Sequence, residues 1–386
     1  MILHLTSDEK FVESTVLEFE KHFPNKNIFV IDTIKKSDQL LKYVNIDNIN
    51  KFAISLESQS AIREITALCN EKIECIFIHS YSLLKGYTAL ELCKKFNSKI
   101  LWVCNGADLY GKLMIDGNYE LFDLRSIRRR IRSFMGFYLK NSIYSLKLGA
   151  NLFKYEKMFY KELDYFCTWN HYDYKLFNQH YVSNSKFISF HYPTSSVTDY
   201  IDNDLRCEKF SIMVNQSASK SGNHLTILNK LLNIDKNKSI RKLVVPLSYG
   251  PYEIKKEVLD YGNKNLAYCF TPLEKFLNKE EFFAILKEVK CAVFGHRRQE
   301  AANNIFFLLG FGAKVFLRKD NNLLKYFKEK GFYIYEYESD LLSLRDLEGL
   351  TEFEQNENKR LLLKEMAEEK VYLEYNKIAE IIKYNL

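Results

Sequence analysis

Cys75-Ile76-Phe77-Ile78-His79, then Leu83–Phe96, then Ile100-Leu101-Trp102-Val103-Cys104 make a strand, helix, strand pattern, and its reading decides the fold. The outer stretches are short and apolar at nearly every position, while the middle one spaces its apolar residues at the helical period. Strands of that kind must be covered on both faces, and an intervening helix returns the chain parallel to its first strand. The alternation continues outward. Strands are predicted at Ile2–Thr6, Ile28–Asp32 and Phe166–Trp169, with helices at Glu9–His22 and Ala61–Asn70. After the polar stretch Thr198–Glu208 it restarts, with strands at Phe210–Val214, Lys242–Val245, Leu266–Phe270, Cys291–Phe294, Val315–Leu317 and Phe332–Tyr335. Helices are predicted between them at Asn223–Leu232, Tyr252–Tyr261, Lys279–Val289, Gln299–Leu309 and Asn322–Lys330. The predicted fold is α/β, with two doubly wound Rossmann-like domains over residues 1–198 and 209–350. The closing segment 351–386 reads as one amphipathic helix, about Glu352–Tyr384, packing across the domains.

A chain of 386 residues suits two domains, and 47% hydrophobic residues exclude a disordered polymer. No run approaches the roughly 18 apolar residues of a spanning helix, and Met1-Ile2-Leu3-His4-Leu5-Thr6 lacks the regions of a signal peptide. A cytoplasmic location is expected. Eight scattered cysteines without a CxxC pair read as reduced thiols, neither a disulfide framework nor a zinc site.

Ligands of open α/β sheets bind beyond the carboxyl ends of the strands, so candidate residues are sought there. Asn215-Gln216-Ser217-Ala218-Ser219-Lys220-Ser221-Gly222-Asn223 offers small hydroxyl and amide donors before a helix, which suits a phosphate. The plainer reading is a polar loop with Ser221 or Asn223 as a cap. Gly295-His296-Arg297-Arg298-Gln299-Glu300-Ala301-Ala302-Asn303-Asn304 places two arginines at a helix start, adding full charges to the dipole. Asn303 and Asn304 sit in that helix's first turns, a poor place for Asn unless a ligand uses it. In the first half, Asn105-Gly106-Ala107-Asp108 delivers a carboxylate after a strand, and Asp108 is the leading general-base candidate, with a turn or cap role as the other reading. His79 is its rival, and Asp8 is a candidate for acceptor binding. Asp202-Asn203-Asp204 resembles a divalent-metal motif but falls between the domains, so no metal and no cofactor are expected.

The net charge of +7 is concentrated. Residues 121–161 hold ten basic side chains against Asp123 and Glu156, and the rest of the chain is near neutral. Arg125, Arg128, Arg129, Arg130 and Arg132 precede Phe134, Met135, Phe137, Tyr138 and Leu139. This cationic and aromatic mixture fits a helix in a lipid headgroup layer, where each basic residue adds about 1 kcal/mol near anionic lipid. An RNA-binding face and a solvated helix are the competing readings.

Gly106-Ala107-Asp108-Leu109-Tyr110, Tyr192-Pro193-Thr194, Asn215–His224, Val244-Val245-Pro246-Leu247-Ser248-Tyr249-Gly250 and Arg298–Asn304, taken in order, resemble the 4-acetamido-4,6-dideoxy-D-galactose (N-acetylfucosamine) transferases of enterobacterial common antigen synthesis. The resemblance spans roughly residues 1–340. It implies a GT-B architecture whose two domains face across a cleft, and a metal-independent transfer from a dTDP-sugar to a polyprenyl-diphosphate-linked acceptor at the inner membrane face. It also implies that Asn215, Ser217, Tyr249, Arg298, Gln299 and Asn304 hold the donor. Asn105 and Asn215 stand where the family has an aromatic residue and a Gly, which leaves UDP donors and O-antigen or capsule acceptors open. The expected partners are a nucleotide sugar, the lipid-linked acceptor and an anionic membrane surface, with no nucleic acid. A soluble nucleotide-sugar epimerase of the same fold and a noncatalytic lipid- or RNA-binding protein are the alternatives.

Overall fold

In the computed structural model the described residues are 1–9, 12–33, 49–123, 127–191, 209–366 and 368–383. The chain forms two compact units. Unit 1 comprises Met1–Asn118, Ser133–Ser195 and Glu368–Leu386, and unit 2 comprises Tyr119–Arg132 and Ser196–Ala367.

Unit 1 is built on seven parallel strands: β1 (Ile2–Ser7), β2 (Asn27–Asp32), β3 (Lys51–Ile54), β4 (Cys75–His79), β5 (Lys99–Val103), β6 (Tyr165–Cys167) and β7 (Lys186–Ile188). Their order in the sheet is β3-β2-β1-β4-β5-β6-β7, with Ile2 opposite both Asn27 and Cys75. Helices α1 (Val12–His22), α2 (Ala61–Leu68), α3 (Leu83–Phe96), α4 (Ala107–Ile115), α5 (Ile127–Leu148), α6 (Leu152–Glu162) and α7 (His171–His180) fall between or after these strands. Alternate strand residues choose opposite partners, as the pleat requires. Ile2, Phe29, Phe77 and Leu101 join Val16 and Phe19 of α1, whereas Trp102 stacks on Tyr160 of α6 and meets Phe177 of α7 edge-on. Helix α3 starts where Ser82 Oγ accepts from Lys85 N at 3.3 Å and stops where Asn97 turns left-handed, φ 53°.

Unit 2 repeats the plan with six strands: β8 (Ser211–Val214), β9 (Lys242–Pro246), β10 (Phe270–Leu273), β11 (Val289–Val293), β12 (Lys314–Leu317) and β13 (Tyr335–Glu336). All pair in parallel, in the order β10-β9-β8-β11-β12-β13. Its helices are α8 (His224–Ile234), α9 (Tyr252–Asn265), α10 (Lys279–Lys287), α11 (Ala302–Gly310), α12 (Asn322–Glu329) and α13 (Glu352–Glu365). Helix α14 (Glu368–Ile382) returns to unit 1, where Tyr375 and Ile378 pack with Phe19 and Phe23. The closing segment is thus two helices. Its first belongs to unit 2 and its second to unit 1. The start of the basic segment, Tyr119–Arg132, also belongs to unit 2.

Several predicted boundaries move by a few residues. The strand predicted at Leu266–Phe270 lies at Phe270–Leu273, because the amides of Cys269 and Phe270 both donate to Leu266 O at 3.0 and 2.9 Å and close a turn. Pro272, which lacks an amide donor, is tolerated because β10 is an edge strand. Helix α11 begins at Ala302 instead of Gln299, since Ala301 takes a left-handed φ of 66°. The last strand shrinks to Tyr335–Glu336. Two edge strands, β3 and β7, have no counterpart among the predictions. The linker Thr198–Glu208, with Asp202-Asn203-Asp204, lies outside the described residues, as do Arg125 and Tyr192-Pro193-Thr194.

Candidate functional site

In unit 2 the order of strands reverses between β8 and β11, the place where connections leave in opposite directions and open a crevice at the carboxyl ends. Three loops meet there. Asn215, fully buried at φ 56°, donates Nδ2 to Gly222 O and accepts Gly295 N–H at Oδ1, both at 2.8 Å. Asn223 donates to Gly295 O at 2.9 Å, and Ala218 N–H donates to Tyr249 O at 2.9 Å. Both asparagine amides are therefore spent on holding the loops. A Cβ on Gly295 would stand 2.2 Å from Gly222 O, and one on Gly250 would stand 2.4 Å from Ala218 O. Because backbone atoms must move to relieve such an approach, Gly295→Ala should destabilise by about 1–3 kcal/mol, read in thermal unfolding.

Glu300 sits at the centre of this junction. It accepts Ser221 Oγ–H at 2.8 Å and Gln216 Nε2–H at 3.1 Å, and pairs with Arg298 Nη2 at 2.7 Å. The fully buried His296 ring lies 3.3 Å from it without hydrogen-bond alignment. Burial alone would raise the Glu300 carboxyl, but the charges of His296 and Arg298 and a hydrogen bond from Ser219 hold it well below the usual range. Arg298 keeps one further contact to Ser221 Oγ at 3.4 Å and one to Gln299 O at 3.1 Å. Just beyond, α11 opens on the left-handed Ala301 with no side-chain cap. A non-glycine residue there costs on the order of 1 kcal/mol or more, and the first amides of the helix are left without a side-chain acceptor. A guanidinium beside such amides can receive a phosphate.

Of the donor candidates, Asn215, Ser217, Arg298 and Gln299 line this junction. Tyr249 is exposed beside it, joined through the Ala218 N–H bond to its carbonyl. Asn303 is exposed and Asn304 half-buried in the first turn of α11. Arg297 points elsewhere, bonding Asp123 at 2.8 Å and Asp320 at 2.6 Å.

In unit 1 the reversal falls between β1 and β4. Asp108 closes the loops after β4 and β5. Its Oδ2 accepts Tyr81 N–H at 2.8 Å and Trp102 Nε1–H at 2.7 Å, and its Oδ1 accepts Leu109 N–H at 3.0 Å. His79 is buried, with Nε2 3.0 Å from His4 Nδ1, and His4 Nε2 is 3.2 Å from Asn27 Oδ1. Burial, with the charges of His4 and Lys85, drives His79 well below its usual range, and burial takes His4 to about 3 against the Asn27 bond. Asp8 is half-buried in the loop after β1.

Lys85 and Glu300 are missing from the sequence candidates. A lysine in the first turn of α3 opposes the helix dipole, the one signal that could have found it. The structure explains its place: Lys85 is buried, and Nζ donates to His79 O at 2.7 Å and Ser80 O at 3.0 Å. Glu300 precedes a helix, where a carboxylate is unremarkable. Of the five arginines assigned to membrane contact, Arg129 pairs with Glu257, Arg130 with Glu120 at 2.6 Å and Arg132 with Glu253 at 3.5 Å, while Arg128 is exposed. Among the described residues no helix is long and apolar enough to cross a membrane.

The fold defined by these two sheets is the two-domain GT-B architecture. It is shared with a UDP-forming trehalose-phosphate synthase from Burkholderia vietnamiensis (TM-score 0.64, 8% identity, 99% of this chain and 100% of that one). It is shared equally with Anabaena HepE, solved in complex with UDP (TM-score 0.62, 8% identity, 99% of each chain), and with a glycosyltransferase from Rickettsia africae (TM-score 0.61, 12% identity, 99% and 97%). No protein-family model and no curated protein sequence matches the chain.

Proposed function

We propose that the chain is a glycosyltransferase that moves a sugar from a dTDP- or UDP-activated donor to a polyprenyl-diphosphate-linked acceptor in bacterial surface polysaccharide synthesis. The observation that carries this reading is the unit 2 junction, where Arg298 stands beside the uncapped start of α11 at a topological switch point. Such a site can hold a diphosphate and stabilise it as it departs. Solved proteins of the same fold include one holding UDP. In this reading Arg298, Gln299, Ser217, Tyr249 and Asn304 contact the donor, Asn303 supports them, and Asn215 keeps the loops together. The resemblance to N-acetylfucosamine transferases makes a 4-acetamido-4,6-dideoxyhexose the first sugar to try. Asp8 and its neighbours in unit 1 receive the acceptor.

Membrane contact fits α5. Ile131, Met135, Leu139, Ile143 and Leu146 form an exposed stripe at helical spacing, with Leu146 83% exposed, and Arg128 and Lys140 beside it. Three arginines are paired within unit 2, so the apolar stripe supplies most of the attraction.

Thermal unfolding with dTDP, UDP, GDP and ADP tests the central claim. dTDP or UDP at 100 times its dissociation constant should stabilise the chain by about 2.7 kcal/mol. A chain indifferent to all four nucleotides sinks the reading.

A further inference from the structure

The arginines at the unit 2 junction come paired with carboxylates. Arg298 Nη2 stands 2.7 Å from Glu300, and both side chains are largely buried, at 16% and 14% exposure. The same carboxylate accepts Ser221 Oγ–H at 2.8 Å and Gln216 Nε2–H at 3.1 Å, which ties it to the loop after β8 at two points. Arg297, next in sequence, is held by Asp123 at 2.8 Å and Asp320 at 2.6 Å. Arg129 reaches the same loop, donating to Lys220 O at 3.3 Å, and its guanidinium is paired with Glu257. The loop itself adds Lys220, an exposed cation that water screens. Gln216 Oε1 and both ring nitrogens of His296 are buried beside Glu300 without a hydrogen-bond partner among the described residues. The junction therefore has polar atoms to offer a ligand, but little fixed charge left over to match a highly charged one.

A nucleoside diphosphate can meet such a site in two forms. Linked to a sugar, each of its phosphates is bonded on both sides and carries a single charge. Set free, its terminal phosphate gains a further charge above about pH 6. An arginine standing alone would favour the more charged form. At the effective dielectric of a protein surface, one extra charge a few ångströms away amounts to a preference of about tenfold or more. Glu300, fixed against Arg298, repels that extra charge about as strongly as the arginine attracts it. Burial would raise the Glu300 carboxyl, but the charges of His296 and Arg298 keep it low, so it is ionised wherever the terminal phosphate is. We propose that Glu300 is a specificity-determining residue, setting this site for a diphosphate linked on both sides, as in a nucleotide sugar, and against the free nucleoside diphosphate. The proposal rests on the glycosyltransferase reading of the junction and deepens it to the release of product. Once the sugar has gone, the diphosphate left behind carries a charge that the paired site does not reward.

The test measures binding to the full chain by calorimetry at about pH 8, where the terminal phosphate is fully ionised. The probes are UDP and dTDP, each set against its β-methyl ester, which is nearly the same size and carries one charge fewer. For whichever nucleoside binds, the wild type should hold ester and free diphosphate with less than about a tenfold difference. Glu300→Gln keeps an oxygen for Ser221 and removes the charge, so the ratio should swing about 10–100-fold toward the free diphosphate. Glu300→Asp keeps the charge and should keep the wild-type ratio. A wild type that prefers the free diphosphate by more than about tenfold, or a folded Glu300→Gln with the ratio unmoved, overturns the proposal and leaves the transferase reading standing. An equal swing in Glu300→Asp does the same, because shape and not charge would then be responsible. Should Glu300→Gln not fold, the wild-type comparison decides alone. A wild-type chain that binds neither nucleotide in either form removes both the proposal and the reading beneath it.

Discussion

Asp123→Ala should destabilise unit 2 by roughly 3 kcal/mol, the low end for breaking a buried ion pair because the cluster is partly wet. Asp123 accepts Arg318 at 3.0 Å and Arg297 at 2.8 Å, and its own N–H donates to Asn223 Oδ1 at 3.1 Å. Arg318 is buried, and without Asp123 it keeps Glu338, at 2.5 Å, and the face of the Tyr337 ring, whose centroid is 5.2 Å away. Urea unfolding gives the measurement. Asp123→Asn, which keeps an acceptor and loses the charge, should fall between. Burial would raise the Asp123 carboxyl, but Arg318, Thr226 and Arg297 together hold it below the ordinary value. Its contribution is therefore complete above the ordinary aspartate pKa and is lost as pH falls through the lowered native one. The gap between wild type and Asp123→Ala should close with acidification, and a gap that is constant with pH would assign the loss to packing.

Arg298→Ala should lower turnover by about 10²–10³-fold, the effect of removing one charge aimed at a developing anion. Folding should survive. Glu300 retains Ser221 and Gln216, so the carboxylate left behind is still solvated by two donors. Arg298→Lys should recover little, since an ammonium cannot reproduce the planar fork that meets two phosphate oxygens. Nucleotide release over a lipid-linked acceptor, with circular dichroism as the folding control, reads both. Full activity in Arg298→Ala would remove the diphosphate from this junction.

The alternation of apolar runs and helical spacing makes two parallel sheets legible in the sequence, because buried strands such as Cys75–His79 carry their burial in their composition. Edge strands escaped that test. Lys51–Ile54 and Lys186–Ile188 are short and carry charge, and they pair only on one side. Arg298 and the Asn215 loop were readable because they follow predicted strands. The reverse holds for partner choice, which is a matter of distance between residues far apart in sequence. Nothing local says that Asn215 is consumed by Gly222 and Gly295, or that Asp108 is surrounded by donors.

The sequence by itself determined the layers and the strand ends where chemistry can occur, since period and composition are properties of each segment alone. Only the tertiary structure decided which polar side chains at those ends are already satisfied. Hydrogen bonding there is settled by which loops fold against one another, and burial then sets the cost of leaving any group unpaired.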